Sequence, residues 1–137
     1  TPRTRGRRIG GMFRSDRAFS GFAVSDLSAA HAFYRDILGL PVRENEMGML
    51  TLELAPGTEV LIYPKRDHEP AVFTILNLGV DDVEAAVDYL NSHGVVTKIY
   101  SDPDYGTDAK GISRGHGPDI AWFRDPSGNI LSVLNDN

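Results

Sequence analysis

Two stretches of the chain carry the same order of apolar and polar positions. Residues 24–39 read VSDLSAAHAFYRDILG and residues 80–94 read VDDVEAAVDYLNSHG, so that a shift of 56 positions superposes them. The superposed pairs are Val24 and Val80, Asp26 and Asp82, Ala29 and Ala85, Ala30 and Ala86, and Phe33 and Tyr89. An internal repeat of this kind indicates that the two halves of the chain share one structural plan.

Each repeated stretch has the features of a capped amphipathic helix. An aspartate, Asp26 or Asp82, stands where its side chain can accept hydrogen bonds from the free N–H groups of a first helical turn. Apolar residues then recur at helical spacing, at Leu27, Ala30, Phe33, Tyr34, Ile37 and Leu38 in the first stretch and at Val83, Ala86, Val87 and Leu90 in the second. Gly39 and Gly94 predict the two helix ends, because glycine readily adopts the left-handed conformation that closes a helix.

Segments with the composition of β-strands flank both predicted helices. In the first half they are residues 19–24, 41–45, 48–54 and 59–64, and in the second half residues 72–80, 95–100, 119–124 and 129–134. The order is therefore β-α-β-β-β, twice over. This order predicts an α+β fold.

Composition and charge limit the class of partner. The chain has 137 residues, of which 41% are hydrophobic and 24% charged, as expected for one ordinary domain. Its net charge of −5 argues against nucleic acid and anionic membranes as partners. The absence of cysteine excludes disulfides and thiolate chemistry, and no apolar run approaches the ~18 residues of a membrane span, so we expect a cytoplasmic protein.

The N-terminus differs in composition from the rest of the chain. Residues 1–16 are rich in arginine and lack the apolar segment of a secretory signal, so we interpret them as a flexible arm or extension. Residues 17–137 are then the single folded domain.

The repeated plan, the segment VSDLSAAHAFYRDILGLPV and the turn FRDPSGN together resemble the vicinal oxygen chelate superfamily. That superfamily contains glyoxalase I, extradiol dioxygenases, fosfomycin-resistance enzymes and bleomycin-resistance proteins. The resemblance implies two βαβββ modules, at about residues 17–66 and 71–137, whose mixed sheets curl into a cup. It further implies that modules pair within a chain or across a homodimer, and we expect a homodimer.

The resemblance also implies four positions at which family enzymes hold a divalent metal. In this sequence those positions are Phe19, Tyr63, Ile75 and Ser132. None of the four residue types is an imidazole or a carboxylate, which are the ligands that such chemistry requires. The four histidines show no HxH or HExxH spacing either. We therefore predict a protein without a metal or other cofactor.

The expected lining of the cup is aromatic and mildly polar. Alternation along the strands adds Asn77 to the four positions above, and the hairpin around Pro126–Gly128 adds Trp122 because that loop would place Trp122 opposite Ser132. His116 lies in a long segment, residues 101–118, that we interpret either as a surface connection or as a lid over the cup. The candidate ligand-binding residues are Phe19, Tyr63, Ile75, Asn77, Trp122, Ser132 and His116, and no catalytic residue is assigned.

These residues favour a protein that binds or sequesters a small, partly aromatic molecule. The alternative is an enzyme of the same superfamily, a lyase or dioxygenase, that either uses unrecognised metal ligands or needs no metal. A third interpretation is a structural or regulatory dimer module. The residue types at positions 19, 63, 75 and 132 favour the first of these.

Overall fold

The computed structural model describes residues 12–101, 106–115 and 117–136. The first half contains β1 (Ser20–Val24), α1 (Leu27–Ala32), a π-helical segment (Phe33–Ile37), β2 (Val42–Glu44), β3 (Leu50–Ala55) and β4 (Thr58–Pro64). The second half contains β5 (Thr74–Val80), α2 (Val83–Ser92), β6 (Ile112–Ser113), β7 (Ile120–Arg124) and β8 (Ile130–Asn135). A short 3-10 turn, Ser15–Arg17, precedes β1.

Each half of the chain forms one four-stranded mixed sheet. The strand orders are β1-β4-β3-β2 and β5-β8-β7-β6, so the repeat in sequence is a repeat in topology. Only β1 with β4 and β5 with β8 run parallel among the described strand pairs, and β1 and β5 each lie at an edge of their sheet. The α+β prediction is confirmed.

The helix boundaries follow the predicted signals. Asp26 and Asp82 accept hydrogen bonds from the backbone N–H groups of Ala29 and Ala85, each at 3.1 Å. Beyond the helices, Gly39 has φ +70° and Gly94 has φ +82°, the left-handed conformation expected there. The first helix nevertheless changes to π-helical hydrogen bonding after residue 32, which its apolar spacing did not predict.

The predicted strand at residues 95–100 is wrong. Val95 and Thr97 are buried and Val96 is exposed, which is the alternation of a strand, but the segment has no ladder of backbone hydrogen bonds. Thr97 instead donates through Oγ1 to the backbone oxygen of Lys110, at 2.6 Å. The edge of the second sheet opposite β5 is β6, which lies within residues 101–118, the segment that we interpreted either as a surface connection or as a lid.

The core joins the two halves of the chain. Phe33 contacts Tyr34 edge-on at 5.2 Å between ring centroids and lies 6.3 Å from Phe123 on β7. All three rings are almost fully buried. Aromatic side chains from both halves are thus buried in one cluster, so the two sheets share a common core.

The turn between β7 and β8 is built around a buried carboxylate, that of Asp125. Its Oδ1 accepts from the backbone N–H groups of Ser127 and Asn129, both at 2.9 Å. Its Oδ2 accepts from the Tyr34 hydroxyl at 2.7 Å and from the Asn129 side chain at 3.0 Å. Burial, together with the charge and hydrogen bond of Asp125, raises the pKa of Tyr34 well above its usual range, so this phenol stays a donor.

Two parts of the sequence-based interpretation fall outside the described residues. These are residues 1–11 of the expected N-terminal arm, and His116. Met12 and Phe13, which lie in the described part of that arm, are 78% and 82% exposed. Within the described ranges no helix combines the length and apolar character needed to cross a bilayer.

Candidate functional site

An open groove of about 1030 Å³ lies between the two sheets. It is bordered by β1 and β4 of the first sheet, by β5 of the second sheet, and by the connection at residues 65–71. The two edge strands, β1 and β5, therefore contribute to the same site although they are separated by about 50 positions in sequence.

Three of the seven predicted ligand-binding residues meet in this groove: Phe19, Tyr63 and Ile75. Tyr63 pairs with Ala23 of β1, and its side chain lies on the opposite face of β4 from the buried Ile62. Phe19 is 67% exposed, which is unusual for a phenylalanine in a folded domain. Such a side chain offers a flat apolar surface to a ligand.

Phe73 and His68 are among the residues of the groove that the sequence analysis did not name. Phe73, 65% exposed, lines it two positions before Ile75, and strand alternation from Ile75 could have identified it. His68 lies in the wall formed by the connection, and its Nε2 is a buried side-chain atom with no hydrogen-bond partner in the described structure. No sequence signal pointed to His68, because its position depends on how the connection folds back on the sheet.

Most charged groups around the groove are paired with one another. Arg43 donates to Glu53 at 3.0 Å and to Glu59 at 3.1 Å, and Glu59 lines the groove. Lys65 and Asp67 form an ion pair of 2.5 Å; the hydrogen bond raises the pKa of Lys65 and lowers that of Asp67. Paired charges attract a charged ligand less than free ones do, so the aromatic surfaces are the main binding feature.

The other three described candidates form a row across the second sheet. Asn77 on β5 pairs with Ser132 on β8, which pairs in turn with Trp122 on β7, as the hairpin argument predicted. The Ser132 hydroxyl donates to Asn77 Oδ1 at 2.5 Å, and Trp122 contacts Tyr100 edge-on at 5.3 Å between ring centroids. This row does not belong to the described lining of the groove.

The four positions that correspond to metal ligands do not fit a divalent cation. Phe19 and Ile75 carry only hydrocarbon, and Tyr63 carries a phenol in place of an imidazole or carboxylate. Ser132 is fully buried, with its hydroxyl bound to Asn77. Across residues 12–101, 106–115 and 117–136 no group of three or more histidine, aspartate or glutamate side chains is arranged to hold a metal. We therefore derive no chemical step through a metal ion.

Metal independence is the first testable prediction. After dialysis, the protein is expected to contain far less than one equivalent of Ni, Zn, Fe or Mn per chain, because the four positions offer no imidazole or carboxylate. Added metal should also leave the melting temperature unchanged, since only a ligand that binds the folded state raises it. One tightly bound metal per chain in elemental analysis would contradict the prediction.

Solved structures with related folds cover nearly the whole chain. An antibiotic binding protein from a Streptomyces species, TnmS3, is 21% identical, with a TM-score of 0.63 over 88% of this chain and 96% of that one. A lactoylglutathione lyase from Agrobacterium tumefaciens is 21% identical, with a TM-score of 0.61 over 88% and 94%. UcmS2 is 24% identical, with a TM-score of 0.64 over 86% and 96%. At these identities the similarity shows the fold.

Sequence comparison gives the family directly. No curated protein matches the chain significantly. The profile of the Glyoxalase/Bleomycin resistance protein/Dioxygenase superfamily, however, matches residues 17–133, which is most of the chain and includes both sheets. The match agrees with the doubled βαβββ plan and with the fold of the structural relatives. The protein therefore belongs to the Glyoxalase/Bleomycin resistance protein/Dioxygenase superfamily.

Proposed function

We propose that the protein binds and sequesters a small, partly aromatic molecule in the groove between β1 and β5. The proposal rests on the presence of three aromatic side chains, those of Phe19, Tyr63 and Phe73, in the same groove. Phe19 and Phe73 are each about two-thirds exposed. Exposed aromatic surface in a concave site is typical of a ligand-binding pocket. The antibiotic binding protein TnmS3, which has a similar fold, is an example of a small-molecule binder built on this architecture.

The chemistry of the lining supports binding. The aromatic rings provide stacking surfaces, and His68, Thr74 and Ser20 provide a few polar groups that can orient a ligand. The hydroxyl of Ser132, which could have faced a substrate, is instead buried and bonded to Asn77. This lining is what a binding protein needs, namely apolar area with a small number of hydrogen-bonding groups.

We further propose that the functional unit is a homodimer, with residues 17–137 of each chain acting as one domain of two βαβββ modules. In one chain the groove holds Phe19, Tyr63 and Ile75, whereas Asn77 and Trp122 lie elsewhere on the second sheet. A two-fold dimer can bring the second sheet of one protomer over the groove of its partner. The free edges of β1 and β5 also favour association, because an uncovered edge strand readily pairs or packs.

The dimer is the second testable prediction. We expect a mass of about twice the 15.0 kDa of the chain by light scattering at micromolar concentration. If the dimer completes the cup, a planar ligand should also quench the fluorescence of Trp122, the only tryptophan. A monomeric mass at micromolar concentration would contradict the dimer, whatever the outcome for ligand binding.

The third prediction tests the aromatic groove itself. A set of planar aromatic compounds is screened by thermal shift, and the tightest is measured by calorimetry. The double change Phe19→Ala and Phe73→Ala is expected to weaken its binding by at least about tenfold, because each ring contributes stacking of about 0.5 to 1.5 kcal/mol besides buried area. Both rings are mostly exposed, so the variant should melt as cooperatively as the parent.

Val72→Ala is the matched control for this experiment. Val72 is 90% exposed and adjacent to Phe73 in sequence, but it is not part of the described lining of the groove. Removal of the Val72 side chain should leave the affinity for the planar compound unchanged. Equal affinity of the double variant and the parent, or an equal loss in the Val72 control, would refute the groove as the binding site.

A further inference from the structure

A second groove, of about 590 Å³, lies away from the first and shares no lining residue with it. Its walls are the π-helical segment, the connection after α2 at residues 93–99, and the start of the turn after β7 at residues 124–126. Three elements distant in sequence thus meet around one concavity. The ligand binding proposed for the groove between β1 and β5 does not involve this second groove.

The groove has an apolar floor and an apolar rim. Phe33 and Val95 are almost fully buried beneath it, and Ile37 and Ile99 are partly buried. Val96, which also lines the groove, is 64% exposed and turned away from the core. The wall at residues 33–37 is π-helical, a geometry that is rare in proteins and is frequently found at functional sites.

Two basic residues, Arg124 and Lys98, also line this groove. The guanidinium group of Arg124 is exposed, and no described residue forms a hydrogen bond or ion pair with its N–H donors. Lys98 donates to the backbone oxygen of Thr107 at 3.0 Å and to its hydroxyl at 2.5 Å, so the described residues accept two of its three ammonium protons. These bonds fix Lys98 beside the groove without neutralising its charge.

The one carboxylate in the described lining does not compete for these cations. Asp125 is only 5% exposed, and its two oxygens already accept the four hydrogen bonds of the β7–β8 turn. The described lining therefore carries two cationic side chains against this one carboxylate, although the whole chain has a net charge of −5. A positive rim over an apolar floor complements a molecule that has one negative group and an apolar tail.

We infer that this second groove is a binding site for an amphipathic monoanion, a carboxylate attached to an apolar chain. The carboxylate accepts hydrogen bonds from Arg124 and Lys98, since a guanidinium group can bind a carboxylate through two parallel bonds. The tail lies along Phe33, Ile37 and Val96. The site differs from the groove between β1 and β5 in both charge and position.

The experiment is a titration of ¹⁵N-labelled full-length protein followed by two-dimensional NMR, with sodium octanoate as the probe. Acetate carries the head group alone and octan-1-ol carries the tail alone. Octanoate should shift the amide signals of residues 33–37, 95–98 and 124–125, and should bind at least about tenfold more tightly than either partial probe. Equal binding of octan-1-ol, or shifts confined to the groove between β1 and β5, would overturn the inference.

Charge variants make the test specific to the rim. Arg124→Gln is expected to weaken octanoate binding about tenfold, since a hydrogen bond between charged groups is lost, and Arg124→Lys should retain part of the affinity. Arg66→Gln removes one charge from an exposed residue that lines neither groove, and it should change nothing. A loss in the Arg66 control equal to that in Arg124→Gln would show a general charge effect and reject the site.

Discussion

Replacing Gly111 with alanine is expected to lower the free energy of unfolding by about 3 kcal/mol or more. Gly111 has φ +86°, and an added Cβ would lie 2.6 Å from the carbonyl carbon of Thr97 and closer still to its oxygen. The contact is with backbone, so no side-chain rotation can relieve it. The Thr97 backbone cannot easily withdraw either, because this residue is 98% buried and bonded to Lys110.

Gly57→Ala separates backbone strain from steric overlap. Gly57 has φ +81°, close to that of Gly111, but an added Cβ there would meet no atom within 4 Å. Its replacement should cost only the left-handed conformation of an alanine, about 1 kcal/mol. Urea denaturation of both variants gives the comparison. Equal losses in the two variants would show that the approach of Thr97 to Gly111 does not restrict the second half of the fold.

Replacing Asp125 with alanine is the other change with a large expected effect. It leaves four donors without their acceptor: two backbone N–H groups of the turn, the side-chain amide of Asn129 and the hydroxyl of Tyr34. Because these groups are largely excluded from water, the expected loss in the free energy of unfolding is about 3 to 5 kcal/mol. The turn also connects to the first sheet, since Asn129 donates to the backbone oxygen of Ala23 at 2.8 Å.

Two further variants provide reference values for the loss of stability expected in Asp125→Ala. Asp125→Asn keeps the shape and one acceptor oxygen, so its loss in stability should be intermediate. Asp67→Ala removes a carboxylate whose side chain is 84% exposed and whose only described ion pair is with Lys65, so its stability should be close to that of the parent. An Asp125→Ala protein as stable as Asp67→Ala would mean that the buried turn contributes little to the fold.

Several elements could be predicted because their determinants are local. The hairpin at residues 120–135 has the expected register, with Trp122 opposite Ser132, because the three residues between Asp125 and Asn129 fix the loop length. The helix starts at Asp26 and Asp82 likewise depend on contacts three residues apart. Short-range geometry of this kind can be inferred from the order of residues alone.

Other elements could not be predicted because distant contacts override the local pattern. Residues 95–100 alternate between buried and exposed as a strand does, yet they are held by Thr97 and Asn91 side-chain bonds instead of a ladder. The apolar spacing of residues 27–38 fits an uninterrupted α-helix, whereas the structure has a π-helical segment whose Tyr34 is bonded to Asp125, 91 positions away. In both cases the contact that accompanies the irregularity involves a residue outside the segment itself.

The sequence by itself determined the doubled βαβββ plan, the family, and the absence of ligating residue types at four positions, since each follows from residue identity and short-range spacing. Only the tertiary structure decided which of the candidates share a groove. It placed Phe73 and Phe19 in one groove whose described lining does not include Trp122, and it placed the π-helical segment and Arg124 in another. Those relations depend on how two sheets pack over a common core, and packing is a property of the whole chain that no single segment encodes.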